Sequence, residues 1–395
     1  MEADFISSGG ANKWSSAMSL HDLRLYLVIG LAIVLTGCID GNQSTEPYNR
    51  LIWNRENALA GNGEVDKGPW FEWWYYKVIL PDTGDAFYFV YGVVNPWDYD
   101  NTLPASRAYV GFGDFATGEQ LHETCPVSEF TAAYDRTDIT IASHRATDTA
   151  ISGSLVQDGH EASWDITINR LWDFNAMGWG MFVPEMSNIY WYPAQAAARF
   201  SGTIVHDGRR YDFENVPGYQ DRNWGRSFPK WWAWITANHF EGHPDTVLAA
   251  GGGQPTLLGG INGLEGLVIG LKHGGKEYVF RPNDGDLQRI TVDFGTWQIL
   301  AVNREGYTVE INAYAPCDSF MDIPFMTPDN ILFHDYETLT GTIEVKLYER
   351  DGCRDRLVGK LLSDFGGIEY GSADIAFDDC YESEAKVLFD NFNRD

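Results

Sequence analysis

Residues 218–240 read GYQDRNWGRSFPKWWAWITANHF, a stretch that mixes aromatic with charged side chains. Seven of these 23 residues are aromatic, and four of the seven are tryptophan. Its second half alternates with the period of two of a β-strand, which places Trp232, Trp234 and Asn238 on one face. Because a packed core avoids charge, charged residues beside so many indole rings indicate a site that binds an apolar ligand and also handles protons.

The same alternation recurs through most of the chain. Ser163–Ile168, Tyr307–Ala313 and Thr342–Tyr348 alternate apolar with polar residues, and turn signals rich in glycine separate such runs. The one candidate for a short helix, Ser187–Arg199, is interrupted by Pro193. The sequence therefore predicts an all-β protein of many hairpins. Barrels are favoured over sandwiches because one small barrel can enclose one ligand.

The length of 395 residues favours two domains. Two strands rich in tryptophan, within residues 68–81 and 227–240, resemble each other and suggest that each opens a barrel. We expect the first barrel to span residues 67–226 and the second residues 227–395. The 56 acidic residues against 28 basic ones give a net charge of −28. This charge repels polyanions, so no nucleic-acid partner is expected.

The N-terminal region resembles a lipoprotein signal. Leu25–Thr36 is an apolar run too short to span a bilayer but typical of a signal-peptide core. It leads into Leu-Thr-Gly-Cys, which resembles the bacterial lipobox and ends at Cys38. We expect residues 1–37 to be an upstream extension with a signal peptide, and residues 38–66 a tether. A lipid on Cys38 would then anchor the protein to a membrane of the cell envelope, outside the cytoplasm. The alternative is a buried hydrophobic helix.

The sequence has four further cysteines, none of which is part of a CxxC motif: Cys125, Cys317, Cys353 and Cys380. Four cysteines allow three pairings. An exported chain can oxidise them, and Cys353 and Cys380 are the closest in sequence, but spacing does not fix the pairing. The common metalloprotease, hydrolase and dinucleotide-binding motifs are absent from the sequence. We therefore predict no metal and no cofactor, and the oligomeric state stays open.

Two carboxyl groups are candidate proton donors. Alternation over residues 71–80 places Glu72 on one face with Trp74 and Tyr76, and a carboxyl in an apolar pocket has a raised pKa that suits general-acid catalysis near neutral pH. Asp221 precedes Arg222, whose charge lowers the pKa of a paired carboxyl. If those two pair, Glu72, without a neighbouring cation in sequence, is the better donor. The alternative places Glu72 solvated at the start of its strand.

The residues around Trp224 also have two interpretations. Asn223 can orient a polar group of a substrate through its amide. Alternatively, this segment is a structural corner, in which Asp221, Arg222 and Asn223 satisfy backbone groups and Trp224 plugs a barrel end.

Several blocks resemble, in chain order, the tocopherol cyclase family: FEWWYYKVILP, FYFVYGVVNP, the stretch from 218 to 240, VLAAGGG and GTIEVKLYER. The likeness covers residues 68 to 371. Its most specific positions are Tyr219, Asn223, Trp224, Gly225, Phe228, Pro229, Trp232, Trp234, Asn238 and Phe240. The resemblance implies two lipocalin-like antiparallel β-barrels in tandem, related to carotenoid hydratases.

The resemblance also implies a cofactor-free ring closure. An alkene of a lipophilic prenylated hydroquinone is protonated, and the phenol oxygen captures the cation. Indole faces suit both a prenyl chain and a carbocation, and nearby carboxyls supply the proton. The predicted catalytic residues are Glu72, Asp221 and Asn223, and the predicted substrate contacts are Trp74, Tyr76, Trp224, Trp232, Trp234 and Asn238. The alternative function is a lipid-anchored carrier that binds an apolar ligand without catalysis.

Overall fold

The computed structural model of the protein describes residues 46–53, 67–257, 260–352 and 354–381. These residues form an all-β protein built on two large antiparallel sheets, as the alternating sequence predicts. In the described part of the chain, no helix is long and apolar enough to span a bilayer. Cys38, the predicted lipidation site, lies outside the described residues.

The first sheet has eleven strands in the spatial order β4-β3-β2-β1-β11-β10-β9-β8-β7-β6-β5. Their bounds are β1 Phe71–Leu80, β2 Asp85–Val94, β3 Arg107–Asp114, β4 Glu119–Cys125, β5 Phe130–Ala132, β6 Asp138–Ile141, β7 His144–Thr147, β8 Ala150–Gln157, β9 His160–Trp172, β10 Ile189–His206 and β11 Arg209–Gly225.

The second sheet has ten strands, ordered β17-β16-β13-β12-β23-β22-β20-β19-β18 with β21 paired to β22, and β14 and β15 form a separate ribbon. The bounds are β12 Trp231–Ala237, β13 Val247–Gly253, β14 Thr256–Leu257, β15 Ile261–Asn262, β16 Gly266–His273, β17 Lys276–Phe280, β18 Leu287–Asp293, β19 Thr296–Val302, β20 Tyr307–Tyr314, β21 Met321–Met326, β22 Leu332–Asp351 and β23 Arg354–Ser372. Short 3₁₀ helices span Glu46–Asn49, Val127–Glu129, Gly178–Phe182, Pro282–Asp284, Cys317–Ser319 and Phe377–Asp379.

In each sheet the first strand pairs with both the second and the last strand. β1 lies between β2 and β11, and β12 lies between β13 and β23. This arrangement matches two lipocalin-like barrels in tandem. The chain passes from the first sheet to the second within residues 226–230.

The predicted inward faces are buried, but the candidate helix is wrong. Ile166 in β9, Ile311 in β20 and Val345 in β22 are all buried at alternating positions. Ser187–Arg199 is not helical, because most of it belongs to β10. Pro193 lies where the pairing of β10 with β11 is irregular, so its missing N–H interrupts no regular hydrogen bond of the ladder.

Three apolar cores follow from this layout. One fills the first barrel and includes Trp74 and Trp164, and a second fills the other barrel and includes Ile235 and Val345. The third joins the outer faces of the two sheets, where residues such as Trp234 meet β1 and β2. The two barrels therefore share a buried aromatic interface.

Residues 46–53 close part of the first barrel. The Tyr48 ring stacks on Trp224 with centroids 5.9 Å apart, and both side chains are buried. The backbone oxygen of Tyr48 accepts a hydrogen bond from Arg222. The N-terminal segment is thus part of the core of this barrel.

A disulfide joins Cys317 to Cys380, which resolves the pairing that the sequence left open. Cys125 is a buried free thiol. Cys353 lies outside the described residues. The bond ties the segment after β20 to the one after β23, across a sequence separation of 63.

Candidate active site

A cavity of about 280 Å³ lies between the two barrels. Its aromatic lining consists of Trp73, Tyr75, Tyr190, Trp191, Phe228, Trp232, Trp234 and Phe325. Four carboxyl groups also line it: Asp221, Asp335, Glu337 and Glu369. The expected ligand space inside a single barrel is thus replaced by a space between two, because side chains fill the interior of the first barrel.

The register between β1 and β11 decides which side chains face this cavity. Tyr75 is paired with Asp221, and Trp73 is paired with Asn223. Since successive residues of a strand point to opposite faces, these four face the second barrel. Glu72 points the other way, into the first barrel.

Asp221 is a buried acid with 4% of its surface exposed. Its Oδ2 accepts hydrogen bonds from Trp191 Nε1 at 2.7 Å and from the Tyr219 hydroxyl at 2.8 Å. Burial raises the pKa of Asp221 to about 7, although these donors and the charge of Lys77 act in the opposite direction. Oδ1 is buried and has no hydrogen-bond partner among the described residues. The proton of the neutral acid therefore belongs on Oδ1, where no neighbouring group holds it.

The second barrel contributes three further carboxyls. Glu337 of β22 is paired with Glu369 of β23, and Asp335 lies two residues before Glu337 on the same face. Oxygen atoms of the three lie within 4.8 Å of one another. Burial, with repulsion from neighbouring carboxylates, raises the pKa of each, that of Glu369 to about 8. This group therefore shares protons near neutral pH.

Two side chains that donate hydrogen bonds to these carboxyls, Tyr75 and Trp232, also line the cavity. The Tyr75 hydroxyl donates to Glu337, and Trp232 Nε1 donates to Glu369. Tyr75 belongs to the first barrel and is paired with Asp221 in the sheet. It thus lies between the acid of the first barrel and the carboxyls of the second.

Lys77 brings a buried amine to the same interface. Its Nζ donates to Thr236 Oγ1 at 3.0 Å and lies 5.4 Å from the ring centre of Trp234. Burial lowers the pKa of Lys77 to about 7, while the charges of Glu337 and Asp221 act against this shift. Groups of both signs therefore titrate near neutral pH at the junction of the barrels.

Glu72 has a different environment inside the first barrel. Its Oε2 lies 2.6 Å from Arg222 Nη2, and both side chains are fully buried. The backbone N–H groups of Ile52 and Trp53 also donate to it, as does Trp70 Nε1. Burial raises the pKa of Glu72 and outweighs the opposite effect of Arg222 and these donors. Both oxygens of this carboxyl therefore accept hydrogen bonds, and Oε2 also forms an ion pair with Arg222.

Arg222 pairs with Glu72 and not with Asp221. The condition under which Glu72 is the better donor, a pair between Asp221 and Arg222, is therefore not met, and Glu72 has a cation beside it in space although none in sequence. The reason is the alternation of the strand: Asp221 and Arg222 are adjacent in sequence, and their side chains point to opposite faces of β11. The alternative of a solvated Glu72 is also wrong, since its side chain is fully buried.

The predicted site residues divide between the two faces. Asp221, Asn223, Trp232 and Trp234 come together at the cavity. Glu72, Trp74, Tyr76 and Trp224 lie on the other face, within the first barrel. Asn238 is buried, and its amide donates to the backbone oxygen of Gly218 at 2.7 Å, so it holds β11 to the segment after β12.

Asn223 is bonded within the cavity wall. In the amide orientation that satisfies its neighbours, its oxygen accepts from Trp73 Nε1 at 3.0 Å and its nitrogen donates to the backbone oxygen of Tyr190 at 3.3 Å. Its amide thus fixes the Trp73 ring against the cavity.

The sequence reasoning missed Trp191 and the carboxyls of the second barrel. The sequence does contain a signal for the latter: in FHDYETL (residues 333–339), Asp335 and Glu337 lie two positions apart and so share one face of a strand. Two acids on the buried face of a strand are costly unless they have a function. Trp191 lies in Ser187–Arg199, the candidate helix of the sequence analysis, and a helical pattern does not predict which face of a strand it occupies.

Residues 137–372 match the family described as tocopherol cyclase-like. The chain belongs to this family. Membership implies an enzyme of the cyclase or isomerase kind. The chain is similar to a probable chloroplastic tocopherol cyclase of Oryza sativa subsp. japonica, with 24% identity over 77% of this chain and 75% of that protein. It is also similar to the chloroplastic tocopherol cyclase of Zea mays, with 25% identity and the same coverage.

Solved structures resemble the chain at lower identity. A putative AttH from Nitrosomonas europaea matches with 15% identity and a TM-score of 0.43, over 77% of this chain and 93% of that one. Kievitone hydratase from Nectria haematococca matches with 11% identity and a TM-score of 0.46, over 77% of this chain and 90% of that one.

Proposed function

We propose that the protein is an acid-catalysed cyclase or isomerase of a lipophilic, prenylated substrate of the prenylquinol type, and that its active site is the cavity between the barrels. The observation that carries this proposal is Asp221, a buried carboxyl that lines the aromatic cavity. Its pKa is raised to about 7, and its Oδ1 has no hydrogen-bond partner among the described residues. Membership of the family supports the reaction class.

The first step is protonation of the alkene. Asp221 gives its proton to one alkene carbon and becomes a carboxylate, and the other carbon becomes a tertiary cation. The faces of Trp191, Trp232 and Trp234 line the cavity around it, and indole faces attract cations. General-acid catalysis of this kind contributes about 10²–10⁴-fold to a rate.

Ring closure consumes the cation. The phenol oxygen forms a bond to the cationic carbon and loses its proton to a carboxylate of the second barrel, Glu337 or Glu369. The product has the elemental composition of the substrate, and no cofactor is consumed. The buried position of these carboxylates makes them strong enough bases for this proton, since burial favours their neutral form.

A second turnover requires the proton to return to Asp221. Tyr75 supports such a return, because it is paired with Asp221 in the sheet and donates a hydrogen bond to Glu337. In this scheme the first barrel supplies the acid, the second supplies the base, and the tyrosine connects them.

We also infer that the protein is anchored in the cell envelope through Cys38. An apolar substrate partitions into membranes, and a disulfide such as Cys317–Cys380 is typical of exported proteins. Cys38→Ala should move the protein from the membrane to the soluble fraction after cell fractionation. Unchanged membrane association of this variant would contradict the anchor.

The reaction is tested with geranylgeranyl hydroquinone in detergent as the probe. Purified protein should convert it into an isomer of unchanged mass, separated by chromatography and detected by mass spectrometry, and Asp221→Asn should not. Equal conversion by both proteins would reject Asp221 as the donor. Quenching of tryptophan fluorescence by the probe with no isomer formed would instead support the carrier function.

A further inference from the structure

Three successive glycines of β13 form part of the cavity wall. Gly251, Gly252 and Gly253 end the stretch VLAAGGG, residues 247–253, and all three line the cavity. Glycine weakens the interior of a strand, because it has no side chain to pack and loses more entropy on folding than other residues. A run of three therefore indicates that other atoms approach this backbone closely.

The neighbouring strands account for two of the three glycines. A Cβ atom on Gly252 would overlap the backbone oxygen of Gly266, and one on Gly253 would overlap the backbone oxygen of Trp231. Neither oxygen can move aside without breaking the sheet. These two glycines are thus required by the packing of the backbone alone.

Gly251 differs, because a side chain of the first barrel occupies the space beside it. A Cβ atom on Gly251 would lie 3.1 Å from Cη2 and from Cζ3 of Trp191, and 3.4 Å from Cε3. All three atoms belong to the six-membered ring of the indole. Carbon atoms pack best at about 3.5–4.0 Å, so the indole of Trp191 lies against bare backbone at this position.

The strands around Gly251 show that this contact lies in the cavity wall. Gly251 is paired with Trp234 of β12 on one side and with Val268 of β16 on the other. Directly paired residues share a face of the sheet, and both of these neighbours line the cavity. The wall of the second barrel therefore has a notch at Gly251 between two larger side chains, and Trp191 of β10 fits into it.

The five-membered ring of the same indole reaches the acid. Trp191 Nε1 donates to Asp221 Oδ2 at 2.7 Å, which is the short end of the range of about 2.7–3.2 Å for N–H···O hydrogen bonds. A displaced ring therefore cannot shorten this bond and can only lengthen or bend it. The second barrel thus contacts the donor that bonds the acid of the first.

We propose that Gly251 is a positioning residue for the proton donor: it leaves the space in which the Trp191 indole can place its N–H on Asp221. This role rests on the proposed function, in which Asp221 is the acid. The hydrogen bond from Trp191 lowers the pKa of Asp221 against the larger effect of burial. A side chain at position 251 would displace the indole, weaken this bond and make the acid harder to ionise.

The first test follows the Trp191 indole by NMR without any substrate. In protein with isotope-labelled tryptophan, the Trp191→Phe variant identifies the Nε1–H resonance of Trp191. Its chemical shift should titrate with Asp221, whose pKa is about 7. In Gly251→Ala the resonance should move towards that of an indole without a hydrogen bond, and its titration midpoint should rise. An unchanged resonance and midpoint would reject the positioning role.

The second test measures the pH dependence of isomer formation from geranylgeranyl hydroquinone. Trp191→Phe removes the N–H donor and should move the loss of activity to higher pH by about one unit. Gly251→Ala should move it in the same direction by a smaller amount. The double variant should match Trp191→Phe, because the glycine acts only through the N–H group. A further shift in the double variant would show that Gly251 acts in another way and would overturn the proposal.

Gly270→Ala is the matched control. Gly270 lies in β16, and a Cβ atom there would meet the ring of Phe174 at 2.9 Å. Phe174 is buried and is not among the described residues that line the cavity. This variant should keep the Trp191 resonance and the pH profile of wild type. If it changed both as Gly251→Ala does, the effect would come from the barrel interface in general, and the specific role of Gly251 would be wrong.

The NMR test separates this proposal from the proposed function. A Trp191 resonance that titrates and responds to Gly251→Ala, in a protein that converts no probe, would support the positioning contact and count against the reaction. Conversion of the probe by wild type, with no response of the resonance or the pH profile to Gly251→Ala, would reject only the role of Gly251. Circular dichroism should show that each variant is folded.

Discussion

Glu72 and Asp221 are two buried carboxyls on neighbouring, directly paired strands, yet their surroundings differ in kind. Glu72 has a guanidinium at 2.6 Å and three N–H donors, and it lies inside one barrel. Asp221 accepts hydrogen bonds from two neutral donors, its Oδ1 has no partner in the part of the chain that the structure describes, and the residue lines an aromatic cavity. One face of this strand pair therefore builds a buried ion pair, and the other builds an acid that has no cationic partner within hydrogen-bond distance among the described residues.

The largest expected effect is on turnover. Asp221→Asn keeps the shape of the side chain but has no proton to give, so we expect the rate of isomer formation to fall about 10²–10⁴-fold. Fluorescence titration should show that the probe still binds. Full activity of the variant would show that Asp221 is not the proton donor, and the two carboxyls would then not differ in their chemical role.

Glu72→Gln should act mainly on stability. It leaves Arg222 buried without its counter-charge, and breaking a buried ion pair in this way costs about 3–5 kcal/mol of unfolding free energy. Urea denaturation measures this loss, and the folded fraction should retain turnover. If the variant were fully stable but inactive, Glu72 would be the proton donor that the sequence favoured, and the two faces would exchange roles.

Tyr219→Phe should change the pH at which activity is lost, which tests whether Asp221 is the acid. The active form of Asp221 is protonated, so wild-type activity should fall as pH rises through about 7. Removing the Tyr219 donor destabilises the carboxylate, raises the pKa of Asp221 and moves this fall to higher pH, by about one unit. Tyr76→Phe is the control, because the Tyr76 hydroxyl is buried in the first barrel without a hydrogen-bond partner in the described chain. A shift in both variants would mean that the pH profile does not report Asp221.

The smallest expected effect is the pH dependence of stability. The pKa of Asp221 is raised from 3.8 to about 7 by folding, so the folded state binds the proton more tightly. Its contribution is complete below pH 3.8 and is lost as pH rises through about 7. The urea midpoint of wild type should therefore fall between pH 5 and pH 8, and that of Asp221→Asn should fall less. Equal slopes would show that the acid is not perturbed by burial.

The all-β fold was predictable from local sequence patterns. The part of the site on β12 was also predictable. The alternation around Trp232 and Trp234 predicts a strand with one aromatic face, and this face lines the cavity. The role of the β1 faces was not predictable, because it depends on the pairing of Tyr75 with Asp221, residues 146 positions apart (221 minus 75). Glu337 and Glu369 likewise meet only through the pairing of two long strands. The sequence identifies residues whose side chains can act as acids or bases, but it does not predict the strand register that brings them together.

The plugging of the first barrel by residues 46–53 has a consequence for biosynthesis. Arg222, whose guanidinium donates to the Tyr48 backbone, is separated from it by 174 positions. At a synthesis rate of about 5–20 residues per second, the partner emerges roughly 9–35 s later. The N-terminal segment therefore waits undocked while ten strands are made, and the interior of the barrel can be completed only when β11 arrives. Such distant contacts slow folding, so a nascent chain cut short before Arg222 should remain accessible to chaperones.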